Sequence, residues 1–228
     1  PLALQFAKAG FRVTGIDVDE SKCVRVNAGE SYIGDIPAEK VAEQVGSGHL
    51  SATPEYTPLE QADAAIICVP TPLNKTKDPD ISYILSAANE LAVHMHPGML
   101  VVLESTSYPG TTDEVLASRI RRNGYTIGED LFLAFSPERV DPGNKAWGIR
   151  NTPKVLGGVT PTCLEVATAL YSTVVGRVVP VSDPATAEMV KLLENTYRAV
   201  NIGLVNEMAQ ICHRIDIDIW EVVEAAST

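Results

Sequence analysis

The sequence contains no run of Lys or Arg, no CxxC pair, no apolar stretch long enough to span a bilayer, and only 6% aromatic residues. Each absence excludes a class of function. Binding a phosphate backbone requires a basic stripe, whereas this chain carries a formal net charge of -11, with Lys+Arg 18 against Asp+Glu 29. A nucleic-acid surface is therefore excluded and small-molecule chemistry favoured, although an acidic surface also serves solubility. Tyr83, Trp147 and Trp220 are expected to be packing residues rather than a base-stacking set. His49, His94, His96 and His213 show no i, i+4 pairing and no Cys partner, so no metal site is expected. The four cysteines (Cys23, Cys68, Cys163, Cys212) are scattered, two of them inside apolar runs where a reduced thiol acts as a small hydrophobe. With neither a spanning segment nor a charged-then-apolar leader, the expectation is a reduced, cytoplasmic protein away from membranes. No internal repeat or low-complexity linker is visible.

At 228 residues, with 45% hydrophobic and 21% charged, the chain is able to bury a full α/β core and part of a second domain. Apolar stretches with the length and β-branching of buried parallel strands stop at polar, turn-forming residues. Asp17 follows FRVTGI, Pro70-Thr71-Pro72 follows AAIICV, Glu104-Ser105-Thr106 follows MLVVL, and Ser136-Pro137-Glu138-Arg139 follows LFLAF. In an open α/β sheet, ligands sit beyond the carboxyl ends of the strands, so these four ends are expected to share one crevice.

Residues 1–10 (PLALQFAKAG) read as a helix closed by Gly10, followed by the strand FRVTGID. This is helix then strand, with the first strand of a dinucleotide-binding βαβ unit absent. Asp17 ends the second strand, where a carboxylate accepts hydrogen bonds from both ribose hydroxyls and repels a 2′-phosphate. Val18-Asp19-Glu20 offers no Arg to reverse that preference, so the expected cofactor is NAD rather than NADP, unless Asp17 merely caps a helix beginning near Ser21. Helices are expected over 37–45, from Asp80 to about His94, over 112–122 and over 161–173. Strands are expected over 50–53, 64–69, 99–103, 131–135, 154–157 and 177–181. The alternation predicts a Rossmann-like, doubly wound parallel sheet over 1–182, its first strand missing. Asp183-Pro184 then opens a long helix through Arg214, the start of a helical domain over 183–228.

On that helix Glu188, Lys191, Asn195 and Arg198 share one face, either as a solvated stripe or, through Lys191 and Asn195, as donors to an oxygen developing negative charge. Glu138 leaves a buried strand as a candidate general base or as half of a salt bridge with Arg139 or another cation. Ser105 and Thr106 either orient a water or phosphate or cap the helix beyond Pro109-Gly110, and Glu104 is ambiguous in the same way.

The stretches GIDVDESK, ICVPTPL, ESTSYPGTT, SPERVDPGN, TPKVLGG and EMVKLLENTYRAVNIGLVNEMA resemble, along essentially the whole chain, the nucleotide-sugar 6-dehydrogenases acting on UDP-glucose and UDP-N-acetylhexosamines. SPERVDPGN with DPDISYI resembles the UDP-N-acetylhexosamine branch, where UDP-glucose enzymes carry a SPEFLREG-like segment. The resemblance implies a Rossmann domain binding NAD, a helical dimerising middle domain and a C-terminal UDP-binding domain. It implies oxidation of the sugar C6 alcohol to the uronate by two NAD, through a thiohemiacetal and a thioester on a Cys. Carried over by motif, Asp17 would hold the ribose, and Pro70, Thr71, Pro72 and Thr106 would line the cofactor. Thr106 would also orient water, Glu138 would serve as acid/base, Lys191 and Asn195 would stabilise oxyanions, and Arg139 would join them at the substrate. The implied partners are a UDP-sugar and a second subunit docked through the helix over 183–214.

The family's GxGYVG turn is expected just before Pro1 and its Cys in a GGHC-like segment after Thr228, which makes this chain an internal fragment, inactive alone. Alternatives are a UDP-glucose 6-dehydrogenase, a β-hydroxyacid dehydrogenase, against which SPERVDPGN and ESTSYPGTT count, or a non-catalytic dimerisation scaffold.

Overall fold

A computed structural model of the chain describes residues 1–75, 79–139 and 148–228. The chain divides into two compact units, Pro1–Met189 and Val190–Thr228. The first is α/β, in the order α1 (Leu2–Lys8), β1 (Val13–Ile16), α2 (Glu20–Asn27), α3 (Ala38–Gly46), β2 (Leu50–Thr53) and β3 (Ala64–Ile67). There follow α4 (Ser82–His94), β4 (Leu100–Leu103), α5 (Ser118–Arg122), β5 (Phe132–Phe135), β6 (Lys154–Gly158), α6 (Pro161–Tyr171), β7 (Val178–Val181) and the start of α7 (Pro184–Arg214). The helix expected over 112–122 enters α5 through a wide π-type turn, Thr112–Ala117.

Local chemistry accounts for the helix starts. Asp19, not Asp17, caps α2, its Oδ1 accepting from Ser21 N at 3.0 Å. Thr160 caps α6 with Pro161 in its first turn, and Asp183 accepts from Thr186 N at 2.7 Å ahead of Pro184.

The strands form two sheets, β1-β2 and β3-β4-β5-β6-β7. Most neighbours are parallel, but β6 runs antiparallel to β5 through the short pairing Ala134↔Gly158 and Phe135↔Gly157. The sheet therefore departs from the wholly parallel one expected, as large doubly wound sheets often do. Strands β4 and β6 are buried at every position, which is what lets their sequences read as continuous apolar runs.

Helix α1 serves two cores. Phe6 packs with Leu100, Val102, Ala134, Leu156 and Tyr171 against the larger sheet, while Leu4 and Ala7 pack with Val41 and Leu50 at the smaller one. Phe6 meets Tyr171 edge to face at 5.9 Å, fixing the depth of α6 on the sheet.

In the second unit α7 continues to Arg214, and α8 (Ile219–Ala226) is capped by Asp218, whose Oδ1 accepts from Trp220 N at 2.8 Å. Leu193, Val200 and Leu204 are exposed. Among the described residues no helix is long and apolar enough to cross a membrane. Two expected packing residues are corrected: Tyr83 is 49% exposed and Trp220 77% exposed, because α4 and α8 turn those positions outward. Trp147 lies outside the described residues.

Candidate active site

Three strand ends form one rim. The register Ile67↔Leu103 and Leu103↔Phe135 aligns β3, β4 and β5 at their carboxyl ends. Pro70, Thr106 and Glu138 each follow that row by three residues, in the loops that leave the same end of the sheet. Thr71, Thr106, Glu138 and Arg139 are half-buried there, and Pro70 and Pro72 are exposed. The Ser105 hydroxyl caps no helix; it accepts from Val69 N at 2.8 Å and donates to Ile67 O, stitching β3 to β4. Asp17 follows β1, which pairs with β2 in the smaller sheet, and its N donates to Thr53 O at 3.3 Å.

Beneath the rim lies a buried charge cluster. Glu104 and Lys154, 5% and 6% exposed, pair with Oε1 2.9 Å from Nζ. The hydroxyl of buried Tyr171 donates to the same Glu104 oxygen, and Lys154 Nζ lies 5.4 Å from the centre of the Tyr171 ring. Burial pushes the Glu104 carboxyl up against the opposing pull of Lys154 and Tyr171. Burial, then the Glu104 charge, raises the Tyr171 hydroxyl well above its usual value, so it remains a donor. From Lys154 the cluster reaches the rim, with Nζ 3.8 Å from Glu138 Oε2. Glu138 is thus paired with Lys154, while Arg139 contributes its backbone N, 2.8 Å from Glu138 Oε1, and sends its guanidinium to Pro153 O. Cys68 is solvent-accessible at the end of β3, yet its Sγ lies 3.9 Å from Glu104 Oε2. Burial of the thiol, then Glu104, pushes it up to about 12, which disfavours the thiolate at neutral pH.

At the end of β1 the Asp17 carboxylate accepts from Asp19 N at 2.9 Å and pairs with Lys22 at 3.1 Å. Asp17 raises the Lys22 ammonium above its ordinary value. Capping falls to Asp19, which leaves Asp17 available to a ligand.

Glu188 is not part of a solvated stripe. It is fully buried and accepts from Gly110 N at 2.6 Å, from Thr112 N at 2.9 Å and from Thr112 Oγ1 at 2.7 Å. The carboxylate caps the turn at Thr112 from α7, the role Ser105 and Thr106 had been offered. Lys191 and Asn195 stand about one turn apart on the part of α7 in the second unit, both half-buried. Burial raises the Glu188 carboxyl above 4.5 despite these donors. A raised carboxyl binds its proton more tightly folded than unfolded, so its contribution is fully present below the unfolded value and is lost as pH rises through the folded one. Relative to Glu188→Gln, the parent chain is expected to gain stability on acidification from neutral pH down to about 4.5, and no further below it. Denaturant titrations of both across that range check this, and a pH-independent difference contradicts it.

Comparison with known proteins adds the family. Residues 1–175 match the NAD binding domain of the UDP-glucose/GDP-mannose dehydrogenase family, and residues 185–228 match its central domain. The chain belongs to this family. It is 36% identical over its whole length to a UDP-N-acetyl-D-mannosamine dehydrogenase of Pyrococcus horikoshii, covering 54% of that protein. It is 39% identical to an NDP-N-acetyl-D-galactosaminuronic acid dehydrogenase of Ralstonia nicotianae, covering 55%. A solved UDP-D-ManNAc dehydrogenase from Pyrococcus horikoshii superposes with a TM-score of 0.93 at 36% identity, over 100% of this chain and 54% of that one. The chain thus spans about half the length of the curated relatives it matches.

The family's cofactor is NAD, and the donor set at the end of β1 fits it. The Asp17 side chain is 36% exposed, and two partners leave lone pairs for ribose hydroxyls. A depression beside it is lined by Gly15, Ile16, Asp17, Ser51 and Ala52.

Reading the sequence missed Glu104 as an ion-pair partner, Lys154, Tyr171, Lys22 and the capping role of Glu188. Lys154 carried a signal, a lysine opening an apolar strand. Lys22 also carried one, standing within GIDVDESK five residues from Asp17, whereas Glu104, Tyr171 and Glu188 had none, since their partners lie far along the chain. Asp141-Pro142-Gly143-Asn144, the end of the SPERVDPGN motif, lies outside the described residues.

Proposed function

We propose that the whole protein oxidises the C6 alcohol of a UDP-N-acetylhexosamine to the uronate, using two NAD, through a thiohemiacetal and a thioester on a cysteine that is none of Cys23, Cys68, Cys163 and Cys212. NAD, when bound, supplies the hydride acceptor. Asp17 binds the adenosine ribose, and Pro70, Thr71 and Pro72 line the cofactor. Glu138 takes the proton of the attacking water and returns one to the leaving thiolate, Thr106 orients that water, and Arg139 binds substrate. Lys191 and Asn195 donate to the sugar oxygen as it gains negative charge. The observation that supports this reading is the in-register row that ends β4 and β5 level, three residues before Thr106 and Glu138. The relatives' names, which specify N-acetylated sugars, support the substrate branch.

Initial rates of NAD reduction test it. Catalytic efficiency with UDP-N-acetylmannosamine or UDP-N-acetylglucosamine is expected to exceed that with UDP-glucose by about ten-fold or more, about 1.4 kcal/mol of transition-state discrimination. Faster turnover of UDP-glucose would overturn the branch and leave the dehydrogenase.

The cofactor assignment has its own check. Asp17→Ala removes a charged acceptor of two hydrogen bonds and is expected to weaken NAD binding by about 1–3 kcal/mol, read by isothermal titration. Unchanged affinity means that the ribose sits elsewhere.

A further inference from the structure

The side chain of Lys154 is 7% exposed, so it is not a docking group for a soluble phosphate or sugar, yet its Nζ reaches the rim at Glu138. Among the described residues, charged and titratable groups stand around it on several elements: Cys68 after β3, Glu104 after β4, Glu138 and Arg139 after β5, and Tyr171 on α6. A buried ion pair is a poor device for stability, because well-packed apolar residues of similar volume commonly do as well or better. This one is nevertheless held from three sides. Glu104 takes Lys154 and the Tyr171 hydroxyl on one oxygen and has the Cys68 thiol near the other, so neither charge is able to swing away.

Resting on the functional reading above, we propose that Lys154 is a positioning residue for Glu138, an ammonium anchored by Glu104 and Tyr171 that sets the direction in which the Glu138 carboxylate presents its lone pairs. A glutamate side chain at a half-exposed rim has three torsions to lose before it acts as an acid/base. Here Oε1 is taken by Arg139 N at 2.8 Å and Oε2 faces Lys154 at 3.8 Å, so the plane of the carboxylate is defined at both oxygens. Such preorganisation matters in the step in which Glu138 exchanges a proton, and not in substrate binding. The expected signature is therefore a fall in kcat with little change in KM.

The experiment uses the whole protein. The apolar triple variant Glu104→Met, Lys154→Met, Tyr171→Phe is expected to melt at or near the parent temperature, with KM for sugar nucleotide and NAD within about two-fold and kcat down about ten-fold or more. Lys154→Arg, which keeps a cation beneath the rim, is expected to restore most of the kcat that Lys154→Met loses. In a Glu138→Gln background Lys154→Met is expected to cause no further loss, because it acts through the group already removed. A folded triple variant with kcat within two-fold of the parent overturns the proposal. So does a Lys154→Met loss of equal size in both backgrounds, and this comparison decides the matter if the triple variant fails to fold. A parent protein that oxidises no nucleotide sugar overturns the functional reading and this inference together, whereas an active parent with neutral Lys154 variants overturns this inference alone.

Discussion

Glu138→Gln in the whole protein is expected to lower steady-state turnover by about 10²–10⁴-fold, the range that general acid–base catalysis supplies. Gln keeps the size of the side chain and an acceptor for Arg139 N, but it neither takes nor returns a proton. In the proposed mechanism the two hydride transfers precede hydrolysis, so the variant is expected to accumulate the sugar as a thioester on the proposed cysteine. Intact-protein mass spectrometry after one turnover reads that adduct directly. Turnover at the parent rate would sink the acid/base role and leave Glu138 as the outer partner of Lys154.

The second large effect is on folding. Gly157 and Gly158 close β6 where two backbones crowd in. A Cβ at Gly157 would overlap the Asp183 carbonyl oxygen and Pro184 N, and one at Gly158 would overlap Leu164 N and Cα. These obstacles are main chain, which has no side-chain torsion to rotate aside, and they belong to the starts of α7 and α6. Gly157→Ala and Gly158→Ala are each expected to destabilise the first unit by about 3 kcal/mol or more, the upper end of overpacking costs. Urea unfolding of each variant measures it. A loss under about 1 kcal/mol would mean that the close approach relaxes at little expense.

The fold was legible wherever local pattern and tertiary burial agree. The run MLVVL is apolar because β4 is covered on both faces, and Asp183-Pro184 starts a helix because the carboxylate and the proline each suit its first turn. Legibility failed where a side chain's partner is remote. Glu188 shares a helical face with Lys191 and Asn195, which suggested one polar stripe, but Gly110 and Thr112 take its carboxylate out of solvent. Asp17 differs in that its partners are local: the rule that an acidic residue ends the second strand pointed to it, while its pairing with Lys22 and the transfer of capping to Asp19 are geometric facts.

The sequence alone determined the alternation of strands and helices, the positions where strands stop, and the motifs that assign the family, because these are short-range consequences of residue type and period. Only the tertiary structure decided that β6 reverses against β5 and that Lys154 lies between Glu104 and Glu138. It also decided that the strand before Asp17 pairs with β2. The physical reason is that charges brought together by folding are separated in sequence by 50 residues for Glu104 and Lys154 and 67 for Glu104 and Tyr171. The energy of such an arrangement depends on burial and on three-way hydrogen bonding, neither of which leaves a periodic trace in the chain.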